Sequence, residues 1–412
     1  MLPPTALAER SWLDAKATRT LIAALDAASV DFRFVGGVVR DGLLGRPVSD
    51  IDVATPAAPD AVVRAVEAAG LKAIPTGIAH GTVTAIVGRQ PFEITTLRRD
   101  VETDGRHAVV AFTGDWREDA ARRDFTMNAL YAGRDGAITD FFDGVADARA
   151  GHVRFIGDAG QRIEEDALRI LRFFRFHAWY GNGPLDPAGL AACIQLAGMI
   201  DRLSGERVRV ELFKTLNAPD PAPVWQAMID AGVMAHAVPA ATRPEPLSAM
   251  VALESALGMR ADPVRRLAAL TGAPSAELLA AVKSRLKLSN ADAEHFAAFV
   301  KLADRTGLVG QGAYGQALYG AEPAWVRDAI MLAHAETGTP DVETLAELDR
   351  FISRWAEPRF PMTGADLQAI GVTPGPLMGR LLSELEAWWV AAGFEPDRDE
   401  CLRQLAKAHP PQ

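Results

Sequence analysis

Cysteine is almost missing from this chain: Cys193 and Cys401 are the only two in 412 residues. They stand far apart in apolar, helix-like surroundings, so neither a disulfide framework nor a cysteine-based metal site is supported, and both are expected in the core. Long apolar runs are missing too. No stretch reaches the ~18 uninterrupted apolar residues that a membrane helix needs, and the opening MLPPTALAERSWLDAKATR lacks a basic start followed by an apolar segment. The protein is expected to be cytoplasmic, with no membrane partner. Positive charge is in deficit, 43 Lys and Arg against 53 Asp and Glu for a net charge of -10. That excludes generic binding of polyanions through bulk charge, so any nucleic acid would have to be held by local basic patches. No fixed-period repeat is visible, which excludes a regular solenoid.

What is present describes a folded chain of more than one domain. Apolar residues make up 49% and charged residues 23%, an ordinary globular balance, and 412 residues exceed what one core sustains. Strand-like alternation crowds the first third, in FRFVGG (32–37), DIDVAT (50–55), GTVTAIV (81–87), PFEITTL (91–97) and the ends of NALYAG and GAITDFF. PDAVVRAVEAAG, started by Pro59 and stopped by Gly70, predicts a helix between them. From about Ile163 onward apolar residues fall at helical spacing, in ALRILRFFRFHAWY, GERVRVELFKTLN, PVRRLAALTG, AELLAAVKSRLKLS and GPLMGRLLSELEAWW. Proline-rich breaks at GNGPLDPAG, NAPDPAPV and PAATRPEPLS mark the seams.

One segment carries chemistry. A strand ending in Gly36-Gly37 and opening into the helix VVRDGLL offers free backbone N–H groups at a helix N-terminus, a seat for phosphate to which Arg40 could add a charge-assisted bond. Asp50 and Asp52 are two apart on the next strand and so share a face. Two carboxylates held together repel unless a cation lies between them, and hard oxygen ligands facing phosphates select Mg²⁺. Glu93 on PFEITTL is the candidate third carboxylate. Taken singly, a glycine pair is an ordinary turn and Asp-x-Asp an ordinary solvated strand end; their order and spacing are what raise the reading.

In that order, GGVVRDGLLGRPVSDIDVAT resembles the signature of nucleotidyltransferases related to DNA polymerase beta, specifically the bacterial CCA-adding enzyme and poly(A) polymerase family. ARRDFTMNALY (121–131) resembles that family's ribose-reading motif, DFFDGVADARAG (140–151) its hinge, EEDALRILRFFRF (164–176) its base-reading motif and GERVRVELFKTL (205–216) the helix supporting it. The close likeness spans about residues 33–216. It implies an α+β nucleotidyltransferase head (1–150), a mixed β-sheet with flanking helices, followed by an all-α neck for base recognition (151–218), a body (219–340) and a tail (341–412), the last two for tRNA binding.

On a helix Asp166 and Arg169 would share a face, with Arg172 and Arg175 continuing the stripe. A carboxylate accepts from an exocyclic amino group while a guanidinium donates to a ring acceptor, which fits cytosine and adenine; uracil and guanine would turn a carbonyl to the carboxylate. The plain alternative is an i, i+3 salt bridge on a solvated face. The resemblance assigns base choice to Asp166 and Arg169, ribose contacts to Asp124 and Asn128, and triphosphate contact to Arg123. For Asp124 the alternative is a helix cap.

The implied reaction is Mg²⁺-dependent, template-independent addition of CCA from CTP and ATP to the 3' end of tRNA, met at its acceptor arm. PTGIAHGTVTAIV (75–87) resembles the CCA-adding version of that segment rather than the basic run of poly(A) polymerases, and the chain ends without a strongly basic extension. LRRDVETDGRHAVVAFTGDW (97–116) resembles the flexible loop of enzymes that add the final A, which leaves full CCA addition and A addition alone both open. No His-Asp pairing of the phosphohydrolase kind is visible among the eight histidines; His80 belongs to an HGT turn. KSRLK (283–287), Arg265 with Arg266, and Arg202 with Arg207 and Arg209 are candidates for tRNA phosphates, or else ordinary solvated helix faces. Poly(A) addition, or an RNA-binding protein with an inactive head, are the competing functions. No protein partner is identifiable.

Overall fold

The structure, a computed structural model, describes residues 7–77, 81–104, 107–272 and 275–408. The chain forms two compact units, Met1–Pro239 and Ala240–Gln412.

The first unit is built on a seven-stranded mixed sheet. Its strands are β1 (Arg33–Val35), β2 (Asp52–Thr55), β3 (Lys72–Gly77), β4 (Thr82–Val87), β5 (Gln90–Thr96), β8 (Leu130–Ala132) and β9 (Ile138–Asp140), in the order β3-β4-β5-β2-β1-β8-β9, while β6 (Arg98–Asp104) and β7 (His107–Phe112) form a separate antiparallel pair. Only β2 and β5 run parallel, and their register sets Asp52 opposite Glu93. The expected strands are all present except that β2 starts at Asp52, leaving Asp50 on the extended segment before it. Two features escaped the sequence pattern. β3 carries Pro75 and an irregular register between Ile74 and Gly77, a pairing that proline permits only at a sheet edge or bulge. The stretch expected as a flexible loop is the β6–β7 pair, apart from residues 105–106, which lie outside the described residues, as does His80.

Helices α1 (Ser11–Asp14), α2 (Lys16–Ala27), α3 (Gly37–Leu43), α4 (Pro59–Ala68), α5 (Trp116–Ala121) and α6 (Gly144–Ala150) flank the sheet. Successive side chains leave opposite faces of a strand. Accordingly Phe34 meets the edge of Trp12 at 4.9 Å, while Val35 packs with Ala54, Leu97, Ala120 and Tyr131. Asp52 shares the face of Ala54, so the carboxylate emerges beside this second cluster. α6 sits so close to the 3₁₀ turn Thr126–Asn128 that precedes β8 that a Cβ on Gly144 would lie 2.2 Å from the Thr126 carbonyl, which makes glycine obligatory there. Next come α7 (Ala159–Glu165), α8 (Leu168–Tyr180), α9 (Pro187–Leu196), α10 (Gly205–Leu216), α11 (Ala222–Asp230) and α12 (Val233–Ala237). α8 packs on α10 and α11, and its Phe173 and Phe176 join Phe125 and Phe155 in one aromatic cluster. Each such buried ring contributes ~1.5–3 kcal/mol, and together they join the sheet to the helical part of the unit. Cys193 is buried, as expected.

The second unit is entirely helical among the described residues: α13 (Pro244–Ala256), α14 (Pro263–Thr271), α15 (Ala276–Leu286), α16 (Asn290–Lys301), α17 (Thr306–Gly310), α18 (Tyr314–Leu318), α19 (Pro323–Thr337), α20 (Val342–Ile352), α21 (Gly364–Ala369), α22 (Pro376–Ala391) and α23 (Arg398–Ala408). The last three share a cluster of Leu367, Leu381, Trp389, buried Cys401 and Leu405. No helix of the described residues is long and apolar enough to cross a membrane.

One expectation for this unit is overturned. Arg265 and Arg266, candidates for tRNA phosphates, are 2% and 4% exposed. Arg265 bonds Glu254 and Asp328 at 2.9 Å each and Arg266 bonds Glu254 at 2.8 Å, while His295 closes on Asp328 at 3.0 Å. Sequence spacing alone does not distinguish an outward cation from one that carboxylates on two neighbouring helices draw inward. Lys283 and Lys287 remain exposed on α15 and just after it.

Burial alone would raise the Asp328 carboxyl, but the His295 hydrogen bond and the Arg265 and Arg327 charges outweigh it and hold it below the ordinary range. A depressed carboxyl gives stability that is complete above about pH 4, where the unfolded group titrates, and is lost as pH falls through the lower folded value. Arg265→Met should remove the cation shared by Glu254 and Asp328, leaving the first with Arg266 and the second with His295 and Arg327, and cost ~3 kcal/mol in urea denaturation at pH 7, the cost shrinking in more acidic buffer. A variant of native stability with weakened RNA binding would restore the phosphate reading.

Candidate active site

A cleft of about 620 Å³ opens in the first unit where the sheet, α3, α8 and α10 meet. Twelve of the thirteen predicted site residues line it: Gly36, Gly37, Arg40, Asp50, Asp52, Arg123, Asp124, Asn128, Asp166, Arg169, Arg172 and Arg175. The thirteenth, Glu93, lies beside Asp52 on β5 but is not part of the lining.

The cleft begins at the turn from β1 into α3. Gly36 takes φ +74°, a conformation side chains resist, and a Cβ there would lie 3.5 Å from Arg123 Nη1. Beyond it the first amides of α3 are free of intrahelical partners. Asp50 and Asp52 flank buried Ile51 on one extended segment, so both carboxylates face the cleft, where the protein partly screens Asp52 from water. Burial and the negative charges of Glu93 and Asp50 raise the Asp52 carboxyl, with Arg123 opposing. Among the described residues no three His, Cys, Asp or Glu side chains stand close enough to cage a metal ion. Asp50 and Asp52 therefore suit a cation that takes its remaining ligands from water and phosphate oxygens.

Arg40 departs from expectation. Its guanidinium grips Asp41 with Nε and Nη2 at 3.0 Å, Asn128 Oδ1 at 2.6 Å and the Tyr180 hydroxyl at 2.7 Å, and lies over the Tyr180 ring at 4.1 Å. Four of its five N–H donors are thereby committed, so it braces α3 against α8 rather than standing free for a phosphate. Arg123 is held differently. Its Nη2 bonds Asp119 at 3.1 Å, while its buried Nε has no hydrogen-bond partner among the described residues. Asp119 also accepts from Arg122 and from the Tyr131 hydroxyl; against the upward push of burial, these contacts bring its carboxyl to about 2.

Asp124 and Asn128 are brought together without an α-helix. A short 3₁₀ turn, Thr126–Asn128, follows Phe125, which pairs with Phe155, and brings Asn128 Nδ2 to 2.9 Å from Asp124 Oδ1. The other carboxylate oxygen accepts from Arg172 Nε at 2.7 Å. Burial disfavours this charge, yet Arg172, Asn128 and the Phe125 amide outweigh it and keep the carboxyl below its usual range. Asp124 is thus a network centre, not a helix cap.

The base-reading motif is also rearranged. α7 ends at Glu165, and Asp166, with φ -154° and ψ 103°, sits at an extended joint before α8. Asp166 and Arg169 accordingly do not ride one helix and do not pair. Arg207 Nη2 bridges both Asp166 oxygens at 2.9 and 2.8 Å, so this candidate for a tRNA phosphate supports a lining residue of the cleft instead. Arg169 bonds Glu165 at 2.6 Å and the carbonyls of Arg162 and Arg122 at 2.8 and 3.1 Å. Arg175 bonds Glu211 at 2.6 Å.

Arg122, Phe176 and Lys214 also line the cleft and were missed, as were the supporting Tyr180 and Glu211, while Arg207 was named for tRNA phosphate rather than for this cleft. A signal existed for three of them, since Arg207, Glu211 and Lys214 recur at i, i+4 and i+7 along GERVRVELFKTL and therefore share one helix face.

A family model described as the poly A polymerase head domain matches residues 32–154, and one described as a probable RNA and SrmB-binding site of polymerase A matches residues 184–243. The chain is 35% identical to CCA tRNA nucleotidyltransferase 1, mitochondrial, of Mus musculus over 92% of this chain and 87% of that protein. It is 33% identical to the CCA-adding enzyme of Lacticaseibacillus paracasei over 95% and 96% of the two chains. The crystal structure of the Bacillus stearothermophilus CCA-adding enzyme in complex with CTP superposes with a TM-score of 0.78 at 27% identity, covering 99% of this chain and 98% of that one.

The brace at Arg40 predicts a measurable cost. Tyr180→Phe keeps the ring against the guanidinium but removes the hydroxyl, and should lower stability by ~1.5–3 kcal/mol in chemical denaturation; no loss would mean that the hydroxyl does not hold Arg40 in place.

Proposed function

This chain belongs to the CCA-adding tRNA nucleotidyltransferase family, and on that footing we propose that it completes the 3' end of tRNA with C, C and A without a nucleic-acid template. The tRNA 3' hydroxyl attacks the α-phosphate of CTP or ATP, the α–β bridging bond breaks, and pyrophosphate leaves. One observation carries the reading: carboxylates suited to a metal, Asp50 and Asp52, and a carboxylate–guanidinium set suited to a base edge, Asp166 and Arg169, line the same cleft from distant parts of the sequence.

The triphosphate is assigned to the Gly37 amide at the start of α3 and to Arg123, both in the cleft lining; the Gly36 amide is already given to the Leu130 carbonyl at 3.1 Å, so Gly36 serves the turn. Asp124 and Asn128 serve the ribose, and Arg172 and Arg175 line the base side. At the base, Asp166 accepts from the amino group of cytosine or adenine and Arg169 donates to the adjacent ring acceptor, while Arg207 and Glu165 fix their orientation. Asp50 and Asp52 hold Mg²⁺, which when bound stabilises charge on the transferring and leaving phosphates. Glu93 polarises Asp52 from the neighbouring strand rather than sharing the cleft. The head, neck, body and tail divisions (1–150, 151–218, 219–340, 341–412) remain the functional segments of this proposal, with the last two meeting the tRNA acceptor arm by shape. A cytoplasmic setting accords with two buried, unpaired thiols.

Incubation with tRNA trimmed before its CCA, Mg²⁺ and each nucleotide alone or together, followed by 3'-end sequencing, should give C, C, A and arrest. Long adenosine tails would move the protein to poly(A) polymerases, and addition of A only to a tRNA already ending in CC would make it A-adding. Asp52→Asn should lower incorporation by 10³-fold or more with the melting curve preserved; near-normal turnover would overturn the metal assignment. Asp166→Ala combined with Arg169→Ala should raise UTP and GTP incorporation relative to CTP and ATP by at least tenfold, in line with ~1–3 kcal/mol for a bidentate base contact; intact selectivity would place base reading elsewhere.

A further inference from the structure

The charges of the cleft wall are unevenly matched. Each of its six arginines has a carboxylate partner: Arg40 with Asp41, Arg122 and Arg123 with Asp119, Arg169 with Glu165, Arg172 with Asp124 and Arg175 with Glu211. Lys214 lines the same cleft, is exposed, and has no carboxylate or hydrogen-bond partner for its ammonium among the described residues. Its backbone is anchored, because Trp179 Nε1 of α8 donates to the Lys214 carbonyl at 2.7 Å. The cleft therefore presents fixed, largely neutralised guanidiniums for planar hydrogen bonding and one uncompensated point charge on a flexible stem. The two cation types suit different ligands. A paired guanidinium reads an edge, whereas a free ammonium meets phosphate without geometric demand.

The incoming nucleotide's own phosphates are assigned above to Gly37 and Arg123, which come from the β1–α3 turn and the segment after α5. In-line attack requires the RNA 3' hydroxyl to approach from the side away from the leaving pyrophosphate. Lys214 is on α10, which packs against α8, the helix that supplies Arg172, Arg175 and Phe176 to the same lining. We propose that Lys214 is the seat for a backbone phosphate at the 3' end of the RNA strand being extended. The proposal rests on the nucleotidyl-transfer reading above. A lysine in the last turn of a helix also favours the helix dipole, but that role would move stability and leave RNA affinity untouched.

The test compares wild type, Lys214→Ala and Lys214→Arg in single-nucleotide addition of C to trimmed tRNA, varying RNA, CTP and salt separately. Lys214→Ala should raise KM for RNA about fivefold with KM for CTP within twofold, and should flatten the dependence of log(kcat/KM) for RNA on log salt by about 0.7, the share of one single-strand phosphate. Lys214→Arg should restore both. RNA with an uncharged methylphosphonate at one of its last two linkages should cost the wild type a similar factor, and adding Lys214→Ala should cost nothing further. Unchanged KM for RNA and salt slope, full additivity with the methylphosphonate, or a shift in KM for CTP instead would overturn the proposal; the last would assign the ammonium to the nucleotide. Failure of the wild type to add any nucleotide is a separate result and would count against the nucleotidyl-transfer reading itself.

Discussion

The Asp124 carboxylate accepts from the Phe125 amide, the Asn128 side chain and the Arg172 guanidinium, and through those bonds it ties the rim of the sheet to the helices that line the cleft. From Asn128 the chain of contacts runs on to Arg40 and Tyr180; from Arg172 it approaches Glu211, which holds Arg175. Burying a charge is costly unless each lone pair finds a donor. Here the donors come from β-strand flank, 3₁₀ turn and helix alike, so the carboxylate is stable only when those elements are together. The cleft is in that sense one electrostatic object, and Arg40 on α3 and Arg172 and Arg175 on α8 are held in register by shared partners.

The sheet and its chemistry were legible in the sequence because their signals are local. Asp50 and Asp52 flank a buried isoleucine, the Gly36-Gly37 turn needs a backbone only glycine takes easily, and alternation marked every strand of the sheet except the one broken by Pro75. Partner choice was not legible. Asp166 and Arg169 are three apart and looked like one helix face, but the helix stops between Glu165 and Asp166 and their partners come from Arg207, Glu165 and two carbonyls. Arg265 and Arg266 read as surface cations until Glu254 and Asp328, remote in sequence, drew them inside. Where a charge ends up depends on which opposite charge the fold delivers to it, and periodicity holds no record of that.

The division of labour among cations follows the same logic. Guanidiniums balanced by carboxylates are oriented before any ligand arrives, so little rotamer freedom is lost on binding. Selection of a base by side chains, without a template strand, needs such rigidity, because the discriminating contacts are few and each depends on angle.

The edges of the seven-stranded sheet have a consequence of another kind. An open strand edge is a template for pairing with a second chain, and long regular edges invite aggregation. On one side β3 presents Pro75, which has no N–H to donate, together with a register break. On the other, β9 is only three residues long, and its terminal Asp140 turns its carboxylate to the amides that open α6. Neither edge offers an uninterrupted row of donors and acceptors to a foreign strand. The irregularities that hid β3 from the sequence pattern are also what make this half of the molecule a poor seed for its own aggregation.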